Sequence, residues 1–325
     1  MVATLVGAVR KRLVTPPPGE VSFVERGFDT ENAPARETLE TSALQFMLGF
    51  EFGIEQKSYS DVVLRLEMLE REYRGFAYEG AAMAMTIKDV MSPLPGNRNT
   101  ERFMSDYAPQ HIFMAYIGIG FAFARLPKAL WRRALPDPSR MPNHPTLNWL
   151  VIDGVGFHLA FFDTDKWIGQ QHVGGYFPWD GPPDYVSRVI DQGIGRAMWF
   201  VNGGDVERLT AMIDGFRPHR RGDLWSGAGL AAGYAGGVDA DSLELLWKNA
   251  GDYRRDLAQG AVFAVKGRVL GDLVTPYTEM AAQILCGGRS AEQAAALADA
   301  SSSNLPETST VPGYEIFRQR TQSYF

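Results

Sequence analysis

Cysteine is almost missing from this chain: Cys286 is the only one in 325 residues. That excludes an intrachain disulfide framework and any metal site built on several thiolates, and it suits a reducing compartment, so a cytoplasmic location is expected. No metal-ligand spacing, phosphate-binding loop, dinucleotide fingerprint or nucleophile elbow occurs either. Neither a metal nor a cofactor is therefore expected. Positive charge is in deficit, with 32 Lys and Arg against 38 Asp and Glu and a net charge of −6, which argues against a nucleic-acid partner. The basic doublets Arg132-Arg133 and Arg220-Arg221 read as solvated faces. Long apolar runs are lacking as well. The longest, "IFMAYIGIGFAFA" from Ile112 to Ala124, falls short of the roughly 20 residues a bilayer-spanning helix needs. At the N-terminus, "MVATLVGAVRKRLV" carries its basic residues after the apolar part, the wrong order for a secretory signal. A short amphipathic helix is expected there.

Glycine, by contrast, is abundant at 34 residues, and its placement is periodic. Six runs align on a glycine: "YEGAAMAM" at Gly80, "YIGIGFAF" at Gly118, "IDGVGFHL" at Gly154, "DQGIGRAM" at Gly193, "WSGAGLAA" at Gly227 and "AQGAVFAV" at Gly260, spaced by 38, 36, 39, 34 and 33 residues. Two residues on stand Ala82, Gly120, Gly156, Gly195, Gly229 and Val262; four residues on stand Ala84, Ala122, His158, Ala197, Ala231 and Ala264. Positions four apart share a helix face, so each run presents a narrow small-residue stripe that lets a neighbouring helix come close. Glycine inside a helix costs about 1 kcal/mol against alanine, and close packing is the compensation.

Helix-period segments follow several of these runs: "LPKALWRRAL", "NGGDVERLTAMIDGF" and "GGVDADSLELLWKNAG". The pattern predicts an all-α protein, an α-solenoid of antiparallel helix pairs with a tetratricopeptide-like period of about 36 residues. Residues 1–72 would hold helices capping the array, 73–290 the array itself, and 291–325 a last helix, a Ser/Thr-rich loop and a polar tail. One copy breaks the rule, because "DTDKWIGQQHVGGYFPWDGPPD" (163–184) replaces a second helix with an irregular Gly/Pro/aromatic insertion. Such a loop is either a surface segment packed by its own aromatics or a flap over a ligand, with Tyr176 and Trp179 as its candidate contacts.

The residue before each aligned glycine is Glu79, Ile117, Asp153, Gln192, Ser226 or Gln259, mostly polar among apolar neighbours. These side chains should project to one inner face, where they either fix register between helices or line a ligand channel. His158 stands where the other copies have alanine, so it is either a satisfied core histidine or a proton donor or acceptor in a pocket. Asp153, five residues earlier, is about 140° away around the helix and need not touch it. Arg196 and Trp199 are one turn apart and suited to cation–π stacking. Trp225 accompanies Asp223, a candidate N-cap, and Lys266 takes the place of Trp199 in its own copy, setting a cation near aromatics. The catalytic candidates are thus His158, Asp153, Glu79 and Arg196; the ligand-binding candidates are Gln192, Trp199, Trp225, Gln259, Lys266, Tyr176 and Trp179.

Several runs taken together resemble a family encoded in actinobacterial enediyne gene clusters, catalogued as a domain of unknown function. They are "RGFAYEGAAMAM" (Arg74 to Met85), "IDGVGFH" (Ile152 to His158), "DQGIGRAMWFVNGGDVERL" (Asp191 to Leu209), "DLWSGAGLAAGYAGG" (Asp223 to Gly237), "LAQGAVFAVKGR" (Leu257 to Arg268) and "YEIFRQR" (Tyr314 to Arg320). The resemblance implies a part in enediyne antibiotic biosynthesis, a branch of secondary metabolism, where the linear polyene of an iterative polyketide synthase becomes the enediyne core. It brings no assigned catalytic residues. On this reading the partner is a hydrophobic polyene or enediyne-core intermediate, which the protein binds and shields or helps convert. Two further readings stand beside it: a non-catalytic helical-repeat adaptor that assembles other enediyne cassette proteins, membrane-bound ones among them, and a cofactor-free acid-base enzyme acting on a later core intermediate.

Overall fold

Each aligned glycine lies inside an α-helix of the structure, a computed structural model that describes residues 7, 11–12, 15, 17–92, 98–175, 177–306 and 310–325, and at 132 and 133 the backbone alone. The longer helices are α1 (Ala33–Glu55), α2 (Tyr59–Glu67), α3 (Arg74–Met91), α4 (Ile112–Arg125), α5 (Trp149–Phe162), α6 (Pro183–Val201) and α7 (Val206–Asp214). They continue as α8 (Pro218–Tyr234), α9 (Ala240–Asn249), α10 (Arg254–Leu270), α11 (Pro276–Leu285), α12 (Ala291–Ser302) and α13 (Gly313–Gln322). No strand occurs among the described residues. The protein is all-helical, as its periodicity predicts. Most of the expected N-terminal amphipathic helix lies outside the described residues.

The glycines set how the helices meet. A Cβ at Gly80, Gly118, Gly154, Gly193, Gly227 or Gly260 would collide with a carbonyl oxygen of the preceding helix, that of Phe46, Glu79, Ile117, Asp153, Gln192 or Ser226 in turn. From the second glycine row, Gly120, Gly156, Gly195 and Gly229 abut carbonyl oxygens of the following helix, those of Val151, Ile190, Leu224 and Leu257. Backbone thus touches backbone at every junction from α3 through α4, α5, α6 and α8 to α10. Dispersion and burial along these contacts offset the helix-propensity cost of glycine.

The same geometry reveals a seventh member. Gly49 of α1 meets the carbonyl of Ala77, and Gly53, one turn on, meets Ala81 and Ala84 of α3. These contacts advance together along both chains, so α1 and α3 run in the same direction; Gly229 and Gly233 against Leu257, Ala261 and Ala264 repeat the arrangement for α8 and α10. In α1 the aligned position is Met47, 33 residues before Gly80. Among the described residues no glycine-bearing helix packs ahead of it there, so no glycine is required. Val262, at the second position of the last copy, has the converse explanation: no further glycine helix follows α10.

Because stacked helices run the same way, the chain must return between them. In the second half it does so through α7, α9 and α11, each started by a side-chain cap from Asp205, Asp239 or Thr275. From α1 to α3 it returns through α2, capped by Ser58, but between α3 and α6 the return is irregular. The segment "LPKALWRRAL" forms only a 3₁₀ turn, Lys128–Leu130, and a four-residue helix, Trp131–Ala134, confined between Pro127 and Pro136. The stack also curls on itself. Gly75 of α3 lies against the hydroxyl of Tyr234 in α8, Arg71 pairs with Asp272 at 2.8 Å, and Arg268 donates to the Glu72 carbonyl at 2.5 Å. The sequence "YEIFRQRTQSYF", expected as a polar tail, instead supplies α13, which buries Tyr314 and Arg318 completely.

Candidate functional site

Three residues beyond each aligned position stand Phe50, Met83, Phe121, Phe157, Arg196, Leu230 and Phe263. The first five line one cleft between α1, α3, α4, α5 and α6, where further phenylalanines such as Phe46, Phe161 and Phe200 complete an aromatic wall. Its free volume is about 50 Å³, room for only a few waters, so a larger ligand must push the wall side chains apart. Leu230 and Phe263 line a separate, smaller void with Tyr234. The cleft's polar lining is confined to Ser42, Glu79, Arg125 and Arg196. Ser42 spends its hydroxyl on the Thr38 carbonyl of its own helix at 2.9 Å.

Glu79 and Arg196 belong to a buried cluster assembled from four helices. Arg196 donates to Asp153 Oδ1, and Gln192 Nε2 donates to Asp153 Oδ2 at 2.8 Å. Gln192 in turn meets the Tyr314 hydroxyl from α13 at 2.9 Å. The guanidinium carbon of Arg196 sits 4.9 Å from the centroid of the Phe157 ring. Asp153 is fully buried and Glu79 only 2% exposed. One guanidinium therefore faces two carboxyl groups. Asp153 takes the ion pair, while no hydrogen bond among the described residues reaches the Glu79 carboxyl. A second carboxylate in such a place would be an unpaired buried charge, so it keeps its proton. Burial pushes Glu79 up to about 8, with Arg196 pulling down and Asp153 pushing up more weakly. Near neutrality Glu79 is a hydrogen-bond and proton donor at the edge of an apolar cleft. Such an environment is how a carboxyl group is made a useful acid at physiological pH.

His158 lies apart from this cluster, toward the end of α4. Its Nε2 accepts a hydrogen bond from Arg125 Nε at 3.1 Å, so the proton of the neutral ring sits on Nδ1. That Nδ1 is buried and unpartnered. Burial, then Arg125 and Arg26, lower its pKa to about 3. His158 is thus a neutral acceptor in place of alanine, held against Phe162 at 4.5 Å between ring centroids. It does not touch Asp153.

The remaining candidates scatter. Trp199 is buried and donates to the Gly236 carbonyl at 3.0 Å; the ring under Arg196 is Phe157, so the expected Arg196–Trp199 stack is replaced. Trp225 is in the core. Asp223 does not cap its helix, which begins five residues earlier at Pro218; it pairs instead with Arg188 at 3.0 Å and Arg318 at 2.7 Å. Gln259 accepts from Ser226 at 2.8 Å and from Arg318 at 3.0 Å, a register-fixing bond between helices. Lys266 pairs with Asp299 at 2.7 Å at an outer groove that Phe113, Trp149 and Phe317 also line, apart from the Glu79 cleft. Trp179 is buried against Trp149 and Phe123, so the 163–184 segment packs on the body and does not cover the Glu79 cleft; Tyr176 lies outside the described residues. Of the basic doublets, Arg220 is buried in a paired fork with Asp191, at 2.9 and 2.5 Å, not solvated, and the side chains of Arg132 and Arg133 lie outside the described residues. The structure therefore unites Glu79, Asp153, Gln192 and Arg196 and separates them from the rest.

Sequence reasoning missed the aromatic wall itself. Its signal was the row three residues past each glycine, large and apolar in every aligned run except at Arg196.

The chain is all-helical among its described residues and holds an apolar cleft with a buried acid at its edge. Over residues 5–325 it matches the model of the family described as "Protein of unknown function (DUF1702)". The chain belongs to that family. No curated protein and no solved structure matches it. No helix among the described residues is long and apolar enough to cross a membrane, and no group of metal-ligating side chains occurs among them.

Proposed function

We propose that this protein acts in enediyne antibiotic biosynthesis by taking the linear polyene intermediate into the Glu79 cleft, where it is shielded and its conversion toward the core is assisted. The observation that carries the reading is the cleft: a run of phenylalanines contributed by successive helices, with one uncharged, unbonded carboxyl group beside the Arg196–Asp153 pair. A stiff, flat, conjugated chain packs on such rings through its faces once the side chains part to admit it, and it presents no polar atoms that the wall would leave unsatisfied. The link to enediyne pathways rests on the sequence resemblance and not on the cleft. We read the stack as an α-solenoid curled until its ends meet, a reading supported by the repeated glycine junctions and by the contacts of α3 with α8.

Glu79 also favours the acid-base reading, because its raised pKa suits proton donation to a bound core intermediate. An adaptor would need neither the cleft nor an acid. Tryptophan emission overlaps polyene absorption, so an added linear conjugated polyene should quench it at micromolar concentration. Glu79→Gln should bind the polyene but lose its conversion. Absence of quenching in the native protein overturns the proposal, and full pathway function of Glu79→Gln overturns the acid's part in it.

A further inference from the structure

The mouth of the cleft is unbalanced in charge. Arg125 forms part of its wall; besides holding His158, it pairs through Nη2 with Glu20 at 3.0 Å, the two side chains being 29% and 36% exposed. Arg26 comes to the same place from the N-terminal segment, donating to the Phe161 carbonyl at 2.5 Å. Both guanidinium carbons lie 5.2 Å from the centroid of the Phe162 ring. Arg26 Nε is buried without a partner, as is His158 Nδ1. Glu20 also acts on Arg26 electrostatically. One carboxylate thus serves two guanidinium groups, and two buried nitrogens have spare N–H donors.

Glu20 is not fixed to the cleft wall by its own helix. It sits in the short turn Pro18–Val21, whose Val21 side chain lines the same cleft. A long apolar ligand entering here must displace Val21, and the turn that carries Val21 carries Glu20. Losing Glu20 alone would leave Arg125 and Arg26 without an anion. A ligand that brings its own anion removes that penalty.

We propose that the cleft's ligand is an amphiphile with one terminal carboxylate, its apolar chain along the phenylalanine wall and its carboxylate on Arg125 in exchange for Glu20. This rests on the cleft being the ligand site, and it adds the head group that the Glu79 end does not supply. The planar guanidinium fork matches a carboxylate in two-point geometry, and the exchange keeps the number of paired charges at the mouth constant.

The test uses the full-length protein with a conjugated tetraenoic fatty acid and its methyl ester, read by energy transfer from tryptophan. The acid should bind about tenfold tighter than the ester, the worth of one charge-assisted contact. Glu20→Gln, which removes the competing internal carboxylate, should tighten the acid several-fold and leave the ester unchanged; Arg125→Gln should abolish the preference for the acid over the ester. Equal binding of acid and ester, or weaker acid binding by Glu20→Gln, overturns the head-group assignment while leaving the cleft intact. If neither ligand binds, the cleft reading itself falls and this proposal with it.

Discussion

Replacing Glu79 with glutamine should change how stability responds to pH, and the sign follows from the burial of the carboxyl group. In the folded protein the group holds its proton up to about pH 8, whereas in the unfolded chain it releases it near its ordinary value of 4.5. Between those values the folded state binds one proton more than the unfolded state, so native stability falls as pH rises. The stabilisation is complete below about pH 4.5 and gone above about pH 8. Its upper limit is on the order of 5 kcal/mol, from about 1.4 kcal/mol per tenfold change in proton affinity. Glutamine keeps the shape of the side chain and cannot ionise. Urea unfolding of both proteins from pH 5 to pH 9 gives the difference in unfolding free energy, in which shared titrations such as that of His158 cancel. That difference should move in favour of Glu79→Gln by several kcal/mol as pH rises through this window. A flat difference would mean that Glu79 ionises normally, and the case for an uncharged acid in the cleft would be refuted.

Other substitutions probe the same framework. Gly193→Ala drives a Cβ into the Asp153 carbonyl; overpacking costs roughly 1–3 kcal/mol even where neighbours yield, and backbone yields least, so its melting temperature should fall clearly, while Gly175→Ala, with open space around it, should be near neutral. Arg196→Met strands the buried Asp153 carboxylate and should cost about 3–5 kcal/mol in denaturant unfolding; adding Asp153→Leu should restore much of that loss. The His158 ring, lowered to about 3 by burial, then Arg125 and Arg26, should show no titration of its NMR signals between pH 5 and 8. Because its folded pKa is depressed, it should oppose stability only as pH falls below about 6.5.

The helices were legible because the glycine rows repeat a backbone contact, and a contact between backbones leaves the same mark in every copy. The shared inner face was legible too, since Glu79, Asp153 and Gln192 stand at one register position. α1 was expected as a helix capping the array, but its place in the glycine rows went unread because Met47 stands where the other copies have glycine. The irregularity of 163–184 was legible from its glycines, prolines and aromatics, whereas the return through 126–148 was expected to be helical and is broken by prolines instead. Partners across the stack were hidden for another reason. Arg196 lies one turn from Trp199 in sequence, yet its guanidinium turns inward to Asp153 of the neighbouring helix and settles over Phe157. The Tyr314 hydroxyl reaches Gln192 across 122 residues of chain.

A crystal structure of the protein soaked with a linear conjugated polyene tests the central claim most directly. The account predicts elongated density along Phe50, Phe121 and Phe157 that passes beside Glu79 and Arg196. Density confined to the outer groove near Lys266 and Asp299, or a cleft filled only by side chains and solvent at saturating ligand, would contradict it.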